Sequence, residues 1–138
     1  MYKRQFETLA AAQQLAKELG TTASAAVLGQ GVEALAHELA TKQLDKVYAV
    51  EHELLKDYTP DAYCVALGQA IDQFHPAVLL FPHTYQVRDF LPKLATARRR
   101  VAVSDVVAHR VEGDSVILVR QLFQGKVNAC LLYTSRCV

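Results

Sequence analysis

Residues 76–105, PAVLLFPHTYQVRDFLPKLATARRRVAVSD, read as a buried strand, a polar turn, a helix and a second strand. Ala77-Val78-Leu79-Leu80-Phe81 is a continuous apolar run, the pattern of a strand covered on both faces in a parallel sheet. Pro82 stops it, and residues 83–86 follow as the turn. Val87, Phe90, Leu91, Leu94 and Ala95 then recur at helical spacing, a stripe that lies on the sheet. Pro92 removes a helical hydrogen bond unless it falls in the first turn, so the helix is expected to start near Arg88. Arg98-Arg99-Arg100 closes it with cations at the negative end of the dipole. Val101-Ala102-Val103 returns as a strand and runs into Ser104-Asp105. Right-handed crossovers bring consecutive parallel strands together, so the turns at 82–86 and 104–106 are expected side by side. Ligands of open α/β sheets meet the loops at the carboxyl ends of strands. His83, Thr84, Ser104 and Asp105 stand there.

The rest of the chain extends this pattern. Residues 6–19 form an alanine-rich helix that stops at Gly20, and residues 23–28 a strand of small and β-branched side chains. Gly29-Gln30-Gly31 turns into a second helix with Val32, Leu35, Ala36 and Leu39 inward. A dinucleotide fingerprint needs a third glycine where Ala34 stands, which favours a plain tight turn. A strand at 45–50 precedes Glu51-His52-Glu53, whose adjacent side chains diverge and favour a solvated loop over a metal site. Thr59-Pro60-Asp61 opens a helix with a capping hydroxyl, a proline at the first position and an acid at the dipole's positive end. Cys64 lies on that helix's buried stripe, where packing outweighs a nucleophilic role. Residues 103–111 and 115–121 alternate about Glu112-Gly113-Asp114 as an antiparallel hairpin, and 127–132 closes as a last strand. The fold class is therefore α/β: a three-layer sandwich with a mainly parallel sheet and a C-terminal antiparallel hairpin.

Composition narrows the function classes. The 138 residues suffice for one domain, and 51% hydrophobic with 21% charged residues is an ordinary globular balance. A net charge of +1 gives no electrostatic case for nucleic acid or an anionic membrane. No apolar run approaches a membrane span, and the N-terminus lacks a signal peptide's apolar core, so the expected location is cytoplasmic. Three cysteines without a C-x-x-C spacing suggest neither zinc nor a disulfide framework. No nucleophile–base set and no Walker-type loop is readable, so no enzyme with its own substrate is expected.

FPHTYQVRDFLPKLA, followed by SDVV and then RQLFQGKVNA, resembles the N-terminal domain of the electron-transfer flavoprotein alpha subunit. The matching positions are Pro82, Thr84, Asp89, Pro92, Leu94, Ala95, Ser104, Asp105, Val106, Arg120, Gly125 and Ala129, within a likeness that spans roughly residues 6–130. The resemblance implies one subunit of a heterodimer. With a beta subunit it carries electrons from dehydrogenases to an acceptor oxidoreductase through FAD, in the mitochondrial matrix if the source is eukaryotic. It also implies that a separate C-terminal domain grips the flavin, so this stretch is expected to hold none and to serve as scaffold and subunit interface. Residues 1–5 and 131–138 depart from the family pattern and are expected to be non-native ends of an incomplete domain. A first strand would then be missing between 23–28 and 77–81, leaving edges open to pairing. The candidate site residues are His83, Thr84, Arg88, Ser104, Asp105 and Arg120. The alternative is a stand-alone adenine-nucleotide-binding module of the stress-protein type, using Gly29, Gly31 and the His83 turn.

Overall fold

The computed structural model describes residues 3–113 and 115–134. In chain order the elements are α1 (Lys3–Glu18), β1 (Ala25–Gly29), α2 (Glu33–Ala40), β2 (Val47–Glu51) and a single 3-10 turn, Glu53–Leu55. These are followed by α3 (Pro60–Phe74), α4 (Tyr85–Ala97), β3 (Val106–Glu112), β4 (Ser115–Leu122) and β5 (Val127–Thr134). The fold class is α/β, as expected. β1 and β2 pair in parallel from Ala25↔Val47 to Gly29↔Glu51, and β3-β4-β5 form an antiparallel sheet.

The helix ends follow their local chemistry. Gly20, at φ +63, lets the Thr21 amide reach the Ala16 carbonyl at 2.9 Å and its own amide reach Lys17 at 3.3 Å, the paired bonds of a Schellman stop. The Thr59 hydroxyl accepts the Ala62 amide at 3.4 Å, with Pro60 as the first helical residue of α3.

The core lies between α3 and α4. Leu67, Phe90 and Leu94 are buried together, and Leu28 from β1 and Phe81 pack against them with Tyr63, Ile71, Val87 and Leu91. Phe81 meets Phe90 edge-on at 5.8 Å between ring centres. Ion pairs lace the outside of this pair of helices. Arg98 reaches both carboxylate oxygens of Asp72 at 2.5 Å by lying across Gly68, where an added Cβ would overlap its guanidinium. Lys93 pairs with Asp61.

The structure corrects four sequence expectations. Residues 77–81 and 101–103 are not strands, because neither is hydrogen-bonded into a ladder. α4 starts at Tyr85 instead of Arg88, because the Thr84 hydroxyl caps it by accepting the Val87 amide at 3.2 Å. Pro92 sits mid-helix, where the exposed Arg88 carbonyl loses its amide partner and the Thr96 hydroxyl donates to the Pro92 carbonyl at 2.8 Å. β3 begins at Val106, three residues late, because Asp105 takes φ +57 and interrupts the extended run. Of the expected non-native ends, Lys3, Arg4 and Gln5 form the start of α1 and Leu131–Thr134 belong to β5, whereas residues 1, 2 and 135–138 lie outside the described residues.

A compact monomer of 15.3 kDa is expected to expose about 7,100 Å². This chain exposes 10003 Å². The α3–α4 contact therefore carries much of the stability of a thinly packed molecule. Phe90→Ala should lower the unfolding free energy by about 3–5 kcal/mol, read from urea denaturation. A loss below 1 kcal/mol would place the core elsewhere.

Candidate functional site

His83 follows the apolar run, Asp105 precedes β3, and Arg120 projects from the central strand β4. The fold brings them together. His83 Nε2 lies 3.1 Å from Asp105 Oδ1, and Arg120 Nη2 lies 3.6 Å from Asp105 Oδ2. The two turns are thus neighbours, as expected, but through this side-chain contact and not through paired parallel strands. Asp105 holds a left-handed backbone to stand between the imidazole and the guanidinium. His83 and Asp105 are about half exposed, so water screens their attraction; Arg120 is more covered, and its Nε is buried with no partner among the described residues.

The other candidates have separate jobs. Thr84 caps α4, Arg88 lies exposed in that helix's first turn, and Ser104 is exposed beside Asp105. Sequence reasoning missed Arg4, whose guanidinium donates to the His83 carbonyl at 2.7 Å. It lies in a stretch with no periodic signal, so nothing local marked it. Tyr58 was also missed. Its hydroxyl donates to Asp89 Oδ2 at 2.8 Å, with the Gln86 carbonyl at 3.2 Å, and so fixes the first turn of α4.

Two nucleotide-like features are filled by the chain itself. At the Gly29-Gln30-Gly31 turn, the Val32 amide that would face a phosphate donates to Glu51 Oε1 at 2.6 Å. His52 Nδ1 accepts the Leu54 amide at 3.1 Å as a cap for the 3-10 turn. The Glu51-His52-Glu53 run is therefore structural, and among the described residues no three His, Cys, Asp or Glu side chains converge as metal ligands. The Cys64 thiol donates to the Phe90 carbonyl at 3.5 Å within the packed helix pair. Two open clefts, of about 430 and 550 Å³, lie away from the His83–Asp105–Arg120 cluster: one is lined by Phe6, Leu9 and Lys42, the other by Glu18 and His109.

A parallel strand pair packed with helices, followed by a three-stranded antiparallel sheet, defines an α/β domain. The chain belongs to the electron transfer flavoprotein family, whose electron transfer flavoprotein domain it matches over residues 1–138. It is 36% identical over 114 residues to the electron transfer flavoprotein subunit alpha of Syntrophomonas wolfei, covering 83% of this chain and 36% of that one. The subunit alpha of Bacillus subtilis is 34% identical over 100 residues, covering 72% of this chain and 31% of the relative. Protein FixB of Azorhizobium caulinodans is 32% identical over 133 residues, covering 94% of this chain and 36% of the relative. The chain thus spans about a third of the length of these relatives. Among the described residues, no helix is long and apolar enough to cross a membrane.

The Tyr58 contact generates a pH test. Loss of hydration, then the hydrogen bond to Asp89 and that carboxylate's charge, push the Tyr58 phenol up to about 12. The raised value means that its contribution to stability is complete below pH 10 and is lost as pH rises towards 12. Ultraviolet titration of phenolate should show one tyrosine ionising late, and Tyr58→Phe should delete that step. Retention of the late step in Tyr58→Phe would show that the assignment is wrong.

Proposed function

We propose that this chain is the N-terminal α/β domain of an electron transfer flavoprotein alpha subunit, working as scaffold and subunit interface. In this reading the parent is a cytoplasmic electron carrier, not an enzyme with its own substrate. With a beta subunit and FAD it relays electrons from dehydrogenases to an acceptor oxidoreductase. The observation that carries the reading is the family match, which spans residues 1–138; the exposed apolar side chains of the antiparallel sheet support it.

The antiparallel sheet carries exposed apolar side chains on both faces. β4 pairs Ile117 with Arg110 and Leu132, and Val119 with Ala108 and Cys130. The opposite face holds Val116, which is buried, and His109 and Arg120, which reach Glu18 and Asp105. On the Ile117–Val119 face Leu132 is 63% exposed, and on the Val116 face Val106, Val127 and Leu131 are 41%, 51% and 39% exposed, so both faces offer apolar surface. At the β4–β5 turn, Phe123 and Gln124 hold φ of 51 and 57, and the Phe123 ring is 74% exposed. A left-handed aromatic on the surface is costly in isolation and suits a side chain that packs on a partner.

The residues present do not fit FAD. A pyrophosphate needs free amides at a glycine-rich turn, and the Val32 and Val87 amides are taken by Glu51 and Thr84. In the His83 cluster Asp105 opposes the charge of Arg120. Flavin affinity is accordingly assigned to a part of the alpha subunit outside this chain.

Titration of the purified chain with the beta subunit from the same source should give a one-to-one complex on gel filtration. Val119→Lys should weaken it at least about tenfold, because the ammonium is buried in an apolar contact. The chain alone should carry no stoichiometric flavin by visible absorbance. Failure to bind the beta subunit, or flavin that stays through purification, would contradict the assignment.

A further inference from the structure

We propose that the end of α4, through Arg99 and Arg100, is a docking point for an acidic segment of a partner protein. The proposal goes beyond the flavoprotein role and does not rest on it.

The argument starts from how the helix stops. The Arg99 amide donates to the Thr96 carbonyl at 3.1 Å and the Arg100 amide to the Ala95 carbonyl at 2.9 Å, the paired bonds of a Schellman stop. α1 ends by the same pair of bonds, with Gly20 in the left-handed position. In α4 that position, at φ 51, holds Arg99. A Cβ there costs stability that glycine does not. His75 also ends α3 left-handed, at φ 47, but histidine is among the residue types enriched in this region and arginine is not.

The cost is not recovered within the described part of the chain. A cation that suits the negative end of the helix dipole is already present in Arg98, which also binds both carboxylate oxygens of Asp72. Arg99 and Arg100 are exposed, and among the described residues neither is in an ion pair. Adjacent guanidinium groups repel each other, so an anion placed between them relieves that repulsion as well as pairing with them.

The occupant follows from the same geometry. The amides that could cradle a phosphate are spent on Ala95 and Thr96, and the carbonyl end of a helix repels a compact, multiply charged group. Carboxylates on flexible side chains meet the guanidinium tips away from those carbonyls. No aromatic residue stands between 94 and 104 for bases to stack on, and with a net charge of +1 this disfavours nucleic acid.

Fluorescence anisotropy of a labelled oligoglutamate peptide, titrated with the chain at low ionic strength, tests this. Saturable binding that weakens with added salt is expected. Arg99→Gly combined with Arg100→Gln should weaken it at least about fivefold. Lys17→Gln, which removes an exposed cation from α1, should leave it within about twofold. Arg99→Gly alone should hold or raise the urea midpoint, because glycine relieves the left-handed strain. If the double variant loses the wild-type circular dichroism, Arg100→Gln decides, with weaker binding expected. Absence of saturable binding overturns the proposal, as does equal weakening by Lys17→Gln. So does tighter binding of a single-stranded oligonucleotide or of phosphatidylserine vesicles than of the peptide. A urea midpoint that falls in Arg99→Gly would show that Arg99 is kept for stability, and overturns it too.

Discussion

A β-strand persists where its backbone donors and acceptors find partners, and before β3 that requirement is met, among the described residues, between β1 and β2 alone. β1 and β2 satisfy each other, while residues 77–81 and 101–103 stay outside any ladder. What keeps those stretches in place is side-chain packing and turn chemistry. Phe81 docks on Phe90, Thr84 caps α4, and Asp105 meets His83. The two predicted sheet strands thus keep their expected neighbours at the turn ends without the bonds that would make them a sheet. Unpaired backbone groups remain hydrated only while the stretch stays open to water, which is why its side chains are exposed despite their composition.

The antiparallel sheet depends on the rest of the molecule through few contacts. His109 Nε2 lies 3.1 Å from Glu18 Oε2, tying β3 to α1, and Arg120 reaches Asp105. Partly covered polar contacts of this kind contribute about 0–1 kcal/mol each. Among the described residues, Val116 is the one member of the sheet in the buried core, so burial there adds little. A sheet anchored so lightly, with exposed apolar side chains on both faces, supports the proposed role as a subunit interface.

Much of the fold was legible because local chemistry decided it. Thr59-Pro60-Asp61 started α3, Gly20 ended α1, and the spacing of Val87, Phe90, Leu91 and Leu94 gave the buried face of α4. The 77–81 run misled because an apolar pattern reports a tendency to be covered, whereas a strand also requires a neighbour. Pro92 misled because its lost bond falls at an exposed carbonyl, where water can replace the amide. Of the site, His83 and Asp105 were readable from their places after and before extended runs. Arg120 came only from the family resemblance, since its approach to Asp105 depends on how the hairpin folds back. Arg4 and Tyr58 act through contacts distant in sequence, and no local pattern marks such residues.

Hydrogen exchange of this chain alone and in complex with a flavoprotein beta subunit tests most directly whether a partner completes the domain. The outer antiparallel sheet, read through the β4 and β5 amides, should exchange by local opening in the isolated chain and become strongly protected in the complex. The α3 and α4 amides around Leu67 and Phe90 should be protected in both states. Protection of β4 and β5 that is already complete in the isolated chain, or unchanged by the beta subunit, would contradict the account.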